Sequence, residues 1–197
     1  YDAKLDEANN RIYILPWNAS QLLVYDLQGN VLDPIPLCLR CPKAKFNVDL
    51  SEGKVSIVLL PFKGYPAVAW TQDLEGKRID FIEPGHLEAP QDFSNEVTAG
   101  FNIPGVFDVN ILCIMPTRVD SLYRYASDKN RLIPAFTLNF ANTDKIPWHG
   151  YGEYPHHFVG NFSEPPVEVS PGSWTNGQTF HYIVDKETGK GSFFTLY

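Results

Sequence analysis

The chain has 197 residues, 44% of them hydrophobic and 20% charged, a composition that supports a packed core and excludes a disordered chain. Its net charge of −7, with no run of Lys and Arg, speaks against nucleic acid and against anionic lipid as partners. Fourteen Gly, 16 Pro and 14% aromatic residues disfavour long helices, and no apolar run approaches the roughly 20 residues of a membrane span.

In chain order, residues 3–6 and 11–15 read as two strands joined by Glu7-Ala8-Asn9-Asn10. A hairpin follows, Leu22-Leu23-Val24-Tyr25-Asp26-Leu27-Gln28-Gly29-Asn30-Val31-Leu32. Its Asp supports the turn through the side chain, and its Gly and Asn tolerate positive φ. Cys38-Leu-Arg-Cys41 lies between Pro36 and Pro42, so no helix start lowers a thiol pKa as a redox site requires. Zinc needs a second close pair of ligands, and only Cys113 remains, in an apolar run. The two thiols are read as loop cysteines, free or in a local disulfide.

Residues 45–49 and 54–60 form the next pair, joined by Leu50-Ser51-Glu52-Gly53. The hairpin Ala67-Val68-Ala69-Trp70-Thr71-Gln72-Asp73-Leu74-Glu75-Gly76-Lys77-Arg78-Ile79 then repeats the first one. Residues 96–101 and 107–115 are a third pair, followed by a hairpin over 122–133 with its turn at Asp128-Lys129-Asn130. Val119, Leu122, Tyr123 and Ala126 also fit helical spacing, but the match to the other copies favours the hairpin. Residues 154–161 and 167–169 form the fourth and least clear pair, and 180–193 the fourth hairpin, with Asp185 and Gly189 in its turn.

The turn residues Gly29, Gly76, Asn130 and Gly189 recur at intervals of 47, 54 and 59 residues. Four strands repeated at about 50 residues is the signature of β-propeller blades. The expectation is therefore an all-β chain forming one β-propeller domain over 1–197, with blades near 1–37, 43–88, 95–140 and 150–197.

Asn9-Asn10-Arg11-Ile12-Tyr13-Ile14, followed by Leu23-Val24-Tyr25-Asp26-Leu27-Gln28-Gly29-Asn30, resembles the six-bladed propellers common among Bacteroides-type cell-envelope lipoproteins, relatives of the NHL and TolB-like propellers. The resemblance covers all four repeats in style and the first two closely. It implies a periplasmic or outer-envelope setting with a lipid anchor in the full-length protein, and a non-catalytic binding module whose ligand is a glycan, a peptide or a protein. The same family setting holds a rival, a metal-assisted lactonase or lyase with a cation in the central channel. Asp108 and Asn110, two apart on one strand face, are the only nominees for such a channel besides one histidine.

Six blades need roughly 300 residues at this repeat length. The start at Tyr1 and the stop within a strand at Tyr197 are accordingly read as those of a segment whose end blades are covered by further blades or another chain. A closed four-bladed ring is the alternative.

The densest polar-aromatic segment is Trp148-His149-Gly150-Tyr151-Gly152-Glu153-Tyr154-Pro155-His156-His157-Phe158. Read as a loop bent by its glycines, it offers Trp148, His149, Tyr151, Tyr154 and His156 to a ligand, the flat rings with polar edges suiting sugars or peptides. The competing reading packs these aromatics between blades. A metal site would take His149, Glu153 and His156 or His157, but H-E-x-x-H is missing and Gly and Pro prevent the helix it needs. With no P-loop, no G-x-G-x-x-G and no G-x-S-x-G, neither a cofactor nor a metal is expected.

Overall fold

The computed structural model describes residues 1–88, 96–100, 108–112, 121–126, 128–140, 147–165, 167–175 and 177–196; for 96–100, 108–112 and Trp148 it describes the backbone alone. The described chain is all-β, with no α-helix and a single 3-10 turn at Gly85–Leu87. None of its helices is long and apolar enough to cross a membrane.

The first sheet is an antiparallel meander of β1 (Asp2–Asp6), β2 (Arg11–Leu15), β3 (Ala19–Tyr25) and β4 (Val31–Cys41), paired in that order. The second repeats it with β5 (Ala44–Asp49), β6 (Lys54–Leu59), β7 (Ala69–Asp73) and β8 (Arg78–Ile82). In the third, β9 (Glu96–Gly100), β10 (Asp108–Leu112), β11 (Ser121–Ala126) and β12 (Arg131–Thr137) again pair in sequence order. The fourth contains β13 (Trp148–Glu153), β14 (His157–Ser163), β17 (Thr179–Asp185) and β18 (Gly191–Phe194). A separate two-stranded hairpin, β15 (Val167–Ser170) with β16 (Ser173–Thr175), is inserted in the chain between β14 and β17, which pair directly.

The hairpin turns form for the reason their sequence suggests. Asp26 Oδ1 accepts the Gln28 N–H at 3.0 Å and the Asn30 N–H at 2.8 Å, while Gly29 takes φ +88°. In the second sheet Asp73 Oδ1 accepts the Lys77 N–H at 2.6 Å, with Gly76 at φ +82°. In the fourth, Asp185 Oδ1 accepts the Thr188 N–H at 2.7 Å, with Gly189 at φ +67°. The carboxylate supplies acceptors for turn amides that have no ladder partner, and glycine adopts positive φ without a Cβ clash.

Three expectations are corrected. The cysteines are free thiols on β4, which runs on to Cys41, and are neither loop residues nor a disulfide. The segment from Trp148 is mostly strand, so the fourth sheet begins at β13 and the strand placed at 154–161 starts only at His157. Residues 167–169 belong to the inserted hairpin and not to the four-stranded sheet. The helical alternative fails over the described residues, because Ser121–Ala126 is strand β11 and Asn130 carries positive φ in a turn. Cys113, Val119 and Met115 lie outside the described residues.

The chain divides into two compact units, Tyr1–Asp92 with Tyr125–Leu132, and Phe93–Arg124 with Ile133–Tyr197. In the first, Tyr13 and Leu15 of β2 and Leu22 and Val24 of β3 pack with Phe46, Val55, Ile57 and Trp70. Strand β6 is buried from Val55 onward, so Val55, Ile57, Val58 and Leu59, with the buried Ser56 among them, serve both faces of a central strand. Each fully buried side chain of this size contributes about 1.5–3 kcal/mol relative to exposure. In the second unit Leu122, Tyr151, Phe158 and Tyr182 form the core, with Phe136 stacked on Phe158 at a centroid distance of 4.6 Å.

Candidate functional site

The alternation of β13 divides the polar-aromatic segment. His149, Tyr151 and Glu153 share one strand face, and Trp148, Gly150 and Gly152 share the other. Tyr151 is buried at 7% exposure, edge-on to Phe136 at 5.6 Å, and its hydroxyl oxygen accepts the Leu138 N–H at 3.3 Å. His149 is half-buried between Phe140 at 5.3 Å and Tyr151 at 5.4 Å. Its Nδ1 lies 2.8 Å from the Pro147 carbonyl, so Nδ1 carries the hydrogen and donates. These two rings are built into the core.

Tyr154 and His156 sit apart, exposed on the short turn from β13 to β14. The turn is closed by the Tyr154 N–H donating to the His157 carbonyl at 2.8 Å. The five nominated residues therefore separate into a packed pair, an exposed pair, and Trp148, whose side chain lies outside the described residues.

Glu153 is the charged residue of this segment with the most defined surroundings. It is 1% exposed, and Arg124 Nε donates to its Oε2 at 3.0 Å. The Arg124 Nη2 and the Lys186 ammonium both donate to Oε1. Lys186 in turn stands over the Phe158 ring at 5.0 Å. Burial opposes ionisation, but the hydrogen bonds and charges of Arg124 and Lys186 outweigh it and hold the carboxyl below the ordinary glutamate range. A carboxylate engaged in this way is an anchor for the fourth sheet. It has neither the basicity of a proton acceptor nor free oxygens for the cation that the sequence reading paired it with. The other nominees for a cation, Asp108 and Asn110, have side chains outside the described residues.

The cysteines offer no redox pair. Cys41 is 1% exposed and its thiol is pushed far up by burial. Cys38 is shifted upward for the same main reason.

The sequence reading passed over a concavity in the first unit. A groove of about 350 Å3 is lined by Lys4, Asp6, Asn9 and Tyr13 of the first sheet and by Asn47, Asp49 and Ser51 of the second. Asp6 accepts from the Asn9 backbone at 3.1 Å and side chain at 2.9 Å, and Asp49 accepts from Ser51 Oγ at 2.6 Å. The signal was present in the repeat itself. Both connections, 7–10 and 50–53, follow an Asp that ends the first strand of a repeat.

No protein-family model matches the chain, and neither does any curated protein. Its fold is similar to that of a candidate exported protein from Bacteroides fragilis NCTC 9343, known from a crystal structure, with a TM-score of 0.59 at 13% identity. The likeness covers 98% of this chain and 57% of that protein, so the chain spans little more than half the length of its structural neighbour.

Proposed function

We propose that the four sheets are successive blades of a β-propeller in an exported, envelope-associated protein, and that the propeller serves as a non-catalytic binding module for a glycan, a peptide or another protein. The observation that carries this reading is the repetition of one unit. Each repeat contributes a four-stranded antiparallel sheet, and in three of the four the strands pair in strict sequence order. Such a unit cannot bury both its faces alone, and stacking neighbours in a ring is the usual solution. The likeness to a longer candidate exported protein supports the extracytoplasmic setting and the idea of further blades. In this reading the full-length product is six-bladed and lipid-anchored.

On this module the ligand-facing nominees reduce to Tyr154 and His156, which are exposed, and Trp148. Tyr151 and His149 act behind them as packing. The structure of the full-length gene product tests the architecture: a closed ring of six blades is the expected result, and sheets stacked without closure would overturn it. Screening that product against arrayed glycans and peptides tests the function. Saturable binding without turnover is expected, and hydrolysis or elimination of a bound compound would replace the binding module with an enzyme.

A further inference from the structure

We propose that the groove between the first two sheets, lined by Lys4, Tyr13, Asn47 and Ser51, is a binding site for a neutral polyhydroxylated ligand such as a sugar ring. The proposal goes beyond the propeller reading, since the groove needs only β1, β2, β5 and the two connections beside them.

The leading observation is the Tyr13 hydroxyl. Tyr13 is 2% exposed, lines the groove, and its buried oxygen has no hydrogen-bond partner. A buried hydroxyl left unpaired costs about 1–3 kcal/mol. The fold tolerates this cost in a unit whose other buried polar side chains are well supplied, Gln72 among them with four hydrogen bonds. Tyr13 stands opposite Lys4 in the β1–β2 register, so both project from the same sheet face. Displacing the Lys4 chain, whose ammonium stands 3.7 Å from Asp2, is the motion that would admit a ligand hydroxyl to the phenol.

The lining chemistry selects the ligand class. The Asn47 carboxamide and the Tyr13 phenol offer donors and acceptors, and Asn9 Oδ1 and Ser51 Oγ, whose hydrogens go to Asp6 and Asp49, add acceptors beside them, as a ring of hydroxyls requires. Two carboxylates, Asp6 and Asp49, face one ammonium, Lys4, which disfavours an anion. Lys4 is itself pushed down to about 8, chiefly by burial, so its charge weakens as pH rises past that value. The groove's volume of about 350 Å3 matches a small ligand.

The test is a titration of the labelled protein with glucose, galactose, mannose, N-acetylglucosamine and glucuronate, followed by amide NMR. At least one neutral sugar should give saturable shifts at Lys4, Asn47 and Ser51, with glucuronate weaker. Tyr13→Phe should weaken that sugar by about fivefold, the worth of one neutral hydrogen bond, and should melt no lower than the parent because the hydroxyl it removes is unpaired. Asn47→Ala, at an exposed strand position, provides a second variant with the same expected loss of affinity. The proposal is overturned if no neutral sugar gives saturable shifts there, if glucuronate binds and the neutral sugars do not, or if both variants bind like the parent. None of these results bears on whether the sheets close into a ring.

Discussion

Gln72 on β7 donates through Nε2 to the Pro36 carbonyl on β4 at 2.7 Å, tying the outer strand of the first sheet to the second. The same fully buried amide accepts the Cys38 N–H at 3.0 Å and the Trp70 indole N–H at 3.2 Å through Oε1. Close by, the hairpin glycine Gly76 presses on Pro36, where a Cβ would stand 3.0 Å from the carbonyl oxygen. Polar pairing and close backbone approach thus join two neighbouring repeats at one point. Gln72→Leu keeps the volume but takes a partner from two donors, the Cys38 and Trp70 N–H groups, and from two acceptors, the Pro36 and Asp73 carbonyls, each buried group left unpaired costing about 1–3 kcal/mol. We expect a loss of about 3 kcal/mol or more in urea unfolding. A variant within about 0.5 kcal/mol of the parent would show that this amide is not the tie described.

Glu153 predicts an acid-sensitive fourth sheet. Its folded pKa is depressed, so its contribution is present above the ordinary glutamate value and is lost as pH falls through the folded one. Removing one partner of a buried pair costs about 3–5 kcal/mol. Arg124 is 43% exposed and keeps access to water, which lowers the expectation for Glu153→Gln to about 2–3 kcal/mol at neutral pH. The gap between parent and variant should close as pH falls from the ordinary glutamate range through the depressed folded value. A gap that stays constant down the whole acid limb would rule out the charge as its source.

Lys4 predicts the opposite limb. Its folded pKa of about 8 lies below the ordinary 10.5, through burial against the partial support of Asp2 and the repulsion of Lys45. Between those values the unfolded chain holds a proton that the folded chain has released, so this residue's contribution to stability rises with pH. Lys4→Met lacks that rise. Melting temperatures of both proteins at pH 7 and 9.5 give the comparison, and the parent should gain on the variant at the higher pH. Parallel shifts in the two proteins would contradict it.

The exposed and buried tyrosines of the fourth repeat should behave differently. Tyr151→Ala empties a core position beside Phe136 and should cost about 3–5 kcal/mol. Tyr154→Ala removes a ring that is 45% exposed and should change stability by less than about 1 kcal/mol. Equal losses in thermal unfolding would mean that both rings are core and would remove Tyr154 from the ligand-facing set.

The readable and unreadable parts of the chain differ for physical reasons. Asp26, Gly29 and Asn30 announce a turn because a local carboxylate and a positive φ suffice to make it. The four-strand periodicity followed from repeating that local signal. The segment at Gly150 and Gly152 misled because glycine there is not a bend. In β14 a Cβ on Gly160 would collide with the Gly150 carbonyl oxygen and the Tyr182 hydroxyl, and that hydroxyl donates to the same carbonyl at 3.3 Å. Gly160 makes room for a ring lying across the sheet, a long-range demand invisible in local sequence, while a Cβ on Gly150 would meet only open space. The inserted hairpin was hidden likewise. Glu164 and Gln178, 14 positions apart, rejoin the sheet through a 3.0 Å backbone hydrogen bond, and Gly177 is there because a Cβ would collide with the Glu164 backbone. The Tyr13 groove depends on two repeats meeting, so neither connection alone announces it.

The last expectation concerns apolar surface left open in the second unit. Val167 at 58%, Val169 at 63% and Trp174 at 63% stand exposed on the inserted hairpin. Phe193 at 69% and Leu196 at 67% add to this on and just after β18, the edge strand of the fourth sheet. A single exposed apolar residue is ordinary, but several spread over a hairpin and an edge strand leave apolar side chains open to pairing. These 197 residues alone should therefore self-associate or bind an apolar-surface dye, with apparent mass rising with concentration in light scattering. Trp174→Ser with Phe193→Thr should reduce both signals, the second at the cost of the Phe193 ring contacts with Phe162 and Phe180. Partial reduction by the hairpin variant alone would assign part of the effect to each element. A parent chain that stays monomeric and dark to the dye at every concentration would show that the exposed side chains cover one another well enough, and would remove the need for further blades or a second chain to cover them.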